Sequence, residues 1–243
     1  MNGRTEPGAA SEGVAAVDRA FTILAALADQ AEPLSLADLA RRTGLYKSTI
    51  LRLLASVEAA GYATRLRDGR YGLGPTACRL GLAYERQNPL RLHVVPVLSD
   101  LVERGTESAS FHVRHGPETR LCLFRVNSHH ATLDRVKAGD ILPLGRGAAG
   151  RILAAFGPEA GTEQEAVRQA GSALSRGERD PSCAGLAAPV FGAGGLLAGA
   201  ISLSGPGERF SDEAVAAMRA LLIEAARSLS NALGGADRSD SHS

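Results

Sequence analysis

Lys47, Ser48, Thr49 and Arg52 stand close together in the chain and offer cations and hydroxyls, the groups that meet phosphate oxygens and base edges. At the start of a helix, Lys47, Ser48 and Thr49 can donate to phosphate, helped by the backbone amides left free there. Arg52, one turn on, can reach a guanine edge with two parallel bonds, or a phosphate; the residue type fits both. A second set, Arg65, Arg67 and Arg70, suits phosphate contacts. The competing reading of both sets is a charged surface that only meets water.

The elements around these residues favour the first reading. Val17, Phe21, Leu24, Leu27 and Ala28 recur at helical spacing behind Asp18, which the pattern places as an N-terminal cap. Ser35 followed by Asp38 has the spacing of a capping box for a short second helix with Leu36, Leu39 and Ala40 on its buried stripe, and Gly44 ends it. A third helix, roughly Lys47 to Ala59, places Ile50, Leu53, Leu54 and Val57 on one face, so Ser48 and Arg52 point away from the core. Gly61 stops it, and Tyr62 to Leu73 reads as a hairpin folding back through a two-residue turn at Asp68-Gly69. Three helices and a basic hairpin make a winged helix-turn-helix, whose third helix enters the major groove.

Pro75 interrupts the pattern, and Ala77 to Arg86 reads as a joining helix, after which Asn88-Pro89 and Pro96 punctuate the chain. A helical run near Val97 to Arg104 precedes strands at Ser108 to Arg114 and Arg120 to Asn127. Helices follow at Gly147 to Phe156 and Glu163 to Ala170, strands at Leu186 to Phe191 and Leu197 to Leu203, and an amphipathic helix at Ser211 to Leu233. This order predicts an α+β class, an antiparallel sheet flanked by helices.

Composition sets the outer bounds. A length of 243 residues with 44% hydrophobic and 22% charged residues suits two globular domains. The balance of 27 basic against 26 acidic residues argues against nucleic acid on average, but Arg41 to Arg79 holds eight basic residues (Arg41, Arg42, Lys47, Arg52, Arg65, Arg67, Arg70, Arg79) against Glu58 and Asp68. Cys78, Cys122 and Cys183 are odd in number and widely spaced, which suggests reduced thiols rather than a disulfide framework. With no apolar run long enough for a membrane span or a secretory signal, a cytoplasmic location is expected and no membrane partner.

A set of motifs runs through Val17-Asp18-Arg19-Ala20, Leu45-Tyr46-Lys47-Ser48-Thr49-Ile50-Leu51-Arg52-Leu53-Leu54, Gly61-Tyr62 and Tyr71-Gly72-Leu73-Gly74. It continues in Ala187-Ala188-Pro189-Val190-Phe191, Ala200-Ile201-Ser202-Leu203-Ser204-Gly205-Pro206 and Ser230-Asn231-Ala232-Leu233-Gly234. In these motifs, taken in this order, the chain resembles the IclR-type transcriptional regulators. The resemblance implies an N-terminal winged helix-turn-helix joined by a linker helix to a GAF-like effector domain. The divisions expected are a flexible tail over 1–13, the DNA-binding domain over 14–75, the linker helix over 76–88, the effector domain over 89–234 and a second flexible tail over 235–243. It implies a repressor or dual regulator of a catabolic operon, dimers that often pair into tetramers, and palindromic operator DNA. The regulating ligand would be a small organic acid or aromatic metabolite.

Arg19 joins Lys47, Ser48, Thr49, Arg52, Arg65, Arg67 and Arg70 as an expected DNA contact. For the effector the resemblance implies backbone amides of Ala148 and Ala149 and the hydroxyls of Ser202 and Ser204; amides at a helix start suit a carboxylate. The family's frequent cysteine before Ala187-Ala188-Pro189 is matched by Gly185, and Cys183, offset by two residues, is the cysteine kept as an effector-binding candidate. A carboxylate of some members aligns near Ser175, leaving Glu178 as the acidic candidate. The interval from Gly150 to Ala187 is shorter than usual.

The alternative class is an enzyme or metal-binding protein with its activity in the C-terminal half. No GxSxG, HExxH or P-loop occurs. His112, His115, His129 and His130 with Cys122 invite a metal reading, but adjacent histidines point apart on a strand and no ligand spacing recurs. No cofactor and no metal site are therefore expected.

Overall fold

The computed structural model describes residues 13–158 and 160–235. The tails expected over 1–13 and 235–243 lie outside the described residues except for Gly13 and Gly235. The chain divides into two compact units, one ending at Asn88 and the other beginning at Pro89.

The first unit opens with α1 (Ala15–Ala28) and α2 (Leu36–Thr43). Helix α1 starts one turn earlier than its apolar spacing suggests. Val14 is its cap, without a side-chain bond, so Asp18 is no cap and lies in the first turn, where a negative charge still suits the helix dipole. The capping box of α2 forms as expected: Ser35 Oγ accepts from the Asp38 amide at 3.1 Å, and Asp38 Oδ2 accepts from the Ser35 amide at 3.4 Å. Helix α3 (Lys47–Ala59) buries Ile50, Leu54 and Val57 against Ile23, Leu27 and Leu39. Each such side chain contributes roughly 1.5 to 3 kcal/mol by leaving water.

Strands β1 (Ala63–Arg65) and β2 (Tyr71–Leu73) form the antiparallel hairpin, and α4 (Pro75–Gln87) follows with Pro75 in its first turn. The connection differs from the two-residue turn expected. The Leu66 amide donates to Arg70 O at 2.8 Å and the Gly69 amide to Leu66 O at 3.0 Å, so Arg67, Asp68 and Gly69 are all turn residues. A two-residue type I′ turn needs positive φ at both central positions; here only Gly69 has it, at 84°, and Asp68 does not. Leu34 exchanges two 2.8 Å backbone bonds with Tyr71, tying the start of α2 to the hairpin.

The second unit begins with α5 (Leu90–Glu103), then β3 (Ser108–Arg114), β4 (Thr119–Val126), β5 (Ile141–Pro143), α6 (Ala148–Ala155), α7 (Glu165–Ala170), β6 (Ala173–Arg176), β7 (Cys183–Phe191), β8 (Leu197–Pro206) and α8 (Asp212–Ala232). Pro96 was expected to break the chain, yet α5 runs through it. The cost of a missing helical bond is outweighed because Val94, Leu98, Leu101 and Val102, on both sides of Pro96, are buried in one core. The β5 and β6 strands were not anticipated.

The six strands lie in the order β5-β4-β3-β8-β7-β6, antiparallel throughout, so the unit is α+β. Helices α5 and α8 pack on one face, with Leu98, Leu101, Leu222 and Leu229 against Phe111, Leu186, Ile201 and Leu203. Helix α6 covers part of the other, with Ile152 and Leu153 near Ala187 and Ala200. Among the described residues no helix is long and apolar enough to cross a membrane.

Candidate DNA-reading face and ligand recess

In the first unit, burial of Ile50, Leu54 and Val57 forces the opposite side of α3 outward. Lys47, Ser48 and Arg52 are exposed and Thr49 is half-buried. Tyr46 caps the helix without a side-chain bond, so the first-turn amides remain free to donate. Among the described residues neither Lys47 nor Arg52 has an acidic partner. Arg19 is likewise exposed on α1. Tyr46 and Leu51, at 85% and 47% exposure, also face outward and are not among the contacts expected from sequence.

The hairpin sets its arginines in three different states. Arg65 lies over the Tyr71 ring, 5.8 Å from its centre, and Arg67 projects from the turn. Arg70 Nε lies 2.7 Å from Asp68 Oδ2 while its amide donates to Asp68 Oδ1 at 3.0 Å. Those bonds hold the Asp68 carboxyl below its ordinary range, the backbone bond first and then the side-chain bond. Arg70 therefore carries its own counter-charge.

In the second unit, the face of the sheet beside α6 carries an open recess of about 40 Å³. Ala148, Ala149, Glu178, Cys183, Ser202 and Ser204, singled out from sequence, all line it. Ser202 and Ser204 share a face because strand side chains alternate, and they stand opposite Ser110 and Ser108 of β3. The same period of two places Cys183. An offset of two residues from Gly185 returns a side chain to the same face, so both positions line the recess. The short interval from Gly150 to Ala187 is filled by α6, α7 and β6 and does not remove the recess.

The hydrogen-bonding of these groups is specific. Ser175 Oγ accepts from the Ala148 amide at 3.1 Å, and Ser204 Oγ accepts from Arg125 Nη1 at 3.3 Å, so both hydroxyl protons are left to donate. The Ala149 amide and the Ser202 hydroxyl have no partner among the described residues. Glu178 is committed: it accepts from the Gly147 amide at 2.9 Å and pairs with Arg151 at 2.8 Å. Beneath the recess, Arg125 is buried against Asp134 and Ser110.

Two further lining residues were not expected at this site, Arg120 unnamed from sequence and His112 weighed only for a metal. Arg120 is 3% exposed, and its Nη1 donates to Pro143 O and to Arg146 O, the latter at 2.7 Å. Burial, and then the nearby Arg179, push this guanidinium down to about 10. His112, also 3% exposed, has an unpaired Nδ1, and burial followed by Arg120 pushes its pKa well below the usual imidazole range. Of the other histidines, His129 faces Glu103 at 3.1 Å and His130 faces Glu107 at 3.5 Å. Cys122, buried, has its thiol pushed up to about 11 by desolvation. Among the described residues no three His, Cys, Asp or Glu side chains gather as a metal site.

Comparison with known proteins accounts for both halves. Residues 16–67 match the IclR helix-turn-helix domain, and residues 161–231 match the bacterial transcriptional regulator IclR C-terminal domain. The HTH-type transcriptional regulator BhcR of Paracoccus denitrificans is 32% identical over 95% of this chain and 90% of its own. A crystal structure of an IclR transcriptional regulator from Silicibacter superposes with a TM-score of 0.74 at 24% identity, covering 92% of this chain and 98% of that one. An IclR homologue from Microbacterium hydrocarbonoxydans, solved with 4-hydroxybenzoate, gives 0.72 at 23% identity, covering 90% of this chain and 99% of the other.

Proposed function

The chain belongs to the IclR family and is a DNA-binding transcriptional regulator rather than an enzyme, and on that premise we propose that α3 and the β1–β2 hairpin hold operator DNA under control of a small metabolite bound beside α6. Lys47, Ser48 and Thr49 donate to phosphate at the free end of α3, and Arg52 reads a base edge in the major groove. Arg65, Arg67 and Arg70 contact the backbone from the hairpin, and Arg19 adds a phosphate contact from α1. The observation that carries this reading is the outward face of α3, which presents Lys47 and Arg52, without acidic partners among the described residues, beside a helix end that has no side-chain cap.

The effector is a small organic acid or aromatic metabolite, held by Ala148, Ala149, Ser202 and Ser204 with Glu178 and Cys183 at the wall. The recess supports it, as does 4-hydroxybenzoate in the Microbacterium homologue. The working form is a dimer or a pair of dimers on a palindromic operator, acting as a repressor or dual regulator of a catabolic operon. A gel shift on DNA upstream of the chain's own gene tests the first half. Arg52→Ala should lose roughly 1 to 3 kcal/mol of affinity and relax preference at one base position. A uniform loss on all sequences would instead make Arg52 a phosphate contact.

A further inference from the structure

We propose that Leu51 reads a thymine methyl group in each half-site, beside the base edge met by Arg52. This rests on the reading that α3 enters the major groove. Leu51 is 47% exposed and takes no part in the core that Ile50, Leu53, Leu54 and Val57 join. A single exposed leucine is common on protein surfaces and needs no partner by itself. The place of this one sets it apart. Lys47 stands one turn before it, Arg52 follows it directly, and the first acidic residue of α3 is Glu58, about two turns further on. An apolar side chain framed by cations suits a partner that carries phosphates on its ridges and methyl groups in its groove.

The rest of the outward face narrows what Leu51 can meet. Leu51 and Ala55 lie one above the other on neighbouring turns, and Ala59 continues the exposed side. Neither alanine side chain can donate or accept a hydrogen bond, so beyond Arg52 the centre of the face offers the groove only methyl groups. Ser56, also exposed, stands on the shoulder away from Leu51, since residues of a helix are offset by about 100° each. The edges that bases present in the major groove include one apolar group, the C5-methyl of thymine, and apolar side chains pack against it. Ala55 is small enough to let the helix approach while Leu51 reaches. A cytosine in the same place would set its N4 donor against Leu51 with no acceptor, so the contact selects as well as attracts.

The test uses the full-length protein and the inverted repeat protected by footprinting upstream of its own gene, synthesised with each thymine replaced in turn by deoxyuridine. The exchange removes one methyl group and keeps the base pair and the phosphates. At one thymine of a half-site it should weaken wild-type binding by roughly fourfold, which corresponds to about 0.8 kcal/mol for one buried carbon group. Leu51→Ala should bind the two duplexes alike at that position, whereas Arg52→Ala, weaker overall, should keep the difference. Without DNA, Leu51→Ala should melt as the wild type does, because Leu51 lies outside the core. If no thymine methyl matters, or if Leu51→Ala suffers the same loss, the assignment to Leu51 is overturned, while a preference for the repeat over a scrambled duplex leaves α3 as the reading face. A lower melting point or a changed oligomeric state of Leu51→Ala without DNA would give Leu51 a protein partner and overturn the assignment as well. No protected repeat, with equal affinity for upstream and scrambled DNA, would sink both the assignment and the reading it rests on.

Discussion

The hairpin gives a prediction whose size follows from one ion pair. Each phosphate neutralised by a cation releases counterions and adds about 0.9 to the slope of log affinity against log salt. Arg67 stands on the turn without an acidic partner among the described residues, so Arg67→Ala should flatten the slope by about 0.9 for each half-site engaged. Arg70 is different, because Asp68 lies 2.7 Å from its Nε and accepts its amide as well. Its net charge on arrival at DNA is partly cancelled, and Arg70→Ala should flatten the slope by clearly less than Arg67→Ala. Asp68→Asn keeps an acceptor for the Arg70 amide, preserving the turn, but removes the counter-charge, so it should steepen the slope and tighten binding at low salt. Fluorescence anisotropy of labelled upstream DNA between roughly 50 and 200 mM salt reads all three variants. Equal flattening by both arginine variants, with no effect of Asp68→Asn, would refute the reasoning.

Two further outcomes follow from burial. Leu54, 1% exposed at the centre of the first core, should cost roughly 2 to 5 kcal/mol when cut to Ala. All four tyrosines lie in the first unit and the chain has no Trp, so urea unfolding followed by intrinsic tyrosine fluorescence reports that unit alone and should move to lower denaturant. His112 has its native pKa lowered, so below about 6.5 the unfolded chain binds a proton that the folded chain does not. Stability of the second unit should therefore fall as pH drops through that value, and His112→Gln should flatten the fall. A pH profile of melting identical in wild type and variant would show that His112 carries none of it.

The outward face of α3 was legible because its buried and exposed positions separate cleanly at helical spacing, with Ile50, Leu54 and Val57 on one side and Ser48 and Arg52 on the other. Strand β3 was placed at its observed bounds, Ser108–Arg114, ahead of the break at His115-Gly116-Pro117. The strand beyond that break concealed Arg120. An arginine between Thr119 and Leu121 reads as the wet side of a one-faced strand, whereas α6 covers part of that face and leaves Arg120 buried. The signal available was Cys122, an apolar residue at the same parity. Pro96 misled because a local rule was outvoted by four buried side chains of α5. The turn misled because Asp68-Gly69 fits more than one loop, and φ at Asp68 decides between them.

Sequence-specific recognition is tested most directly by footprinting the full-length protein on DNA upstream of its own gene, against a scrambled duplex of the same composition at physiological salt. Protection of an inverted repeat, with a preference of at least about 10³ over the scrambled duplex that Arg52→Ala reduces, is the expected result. Equal affinity for the two duplexes, changing with salt alone, would contradict it.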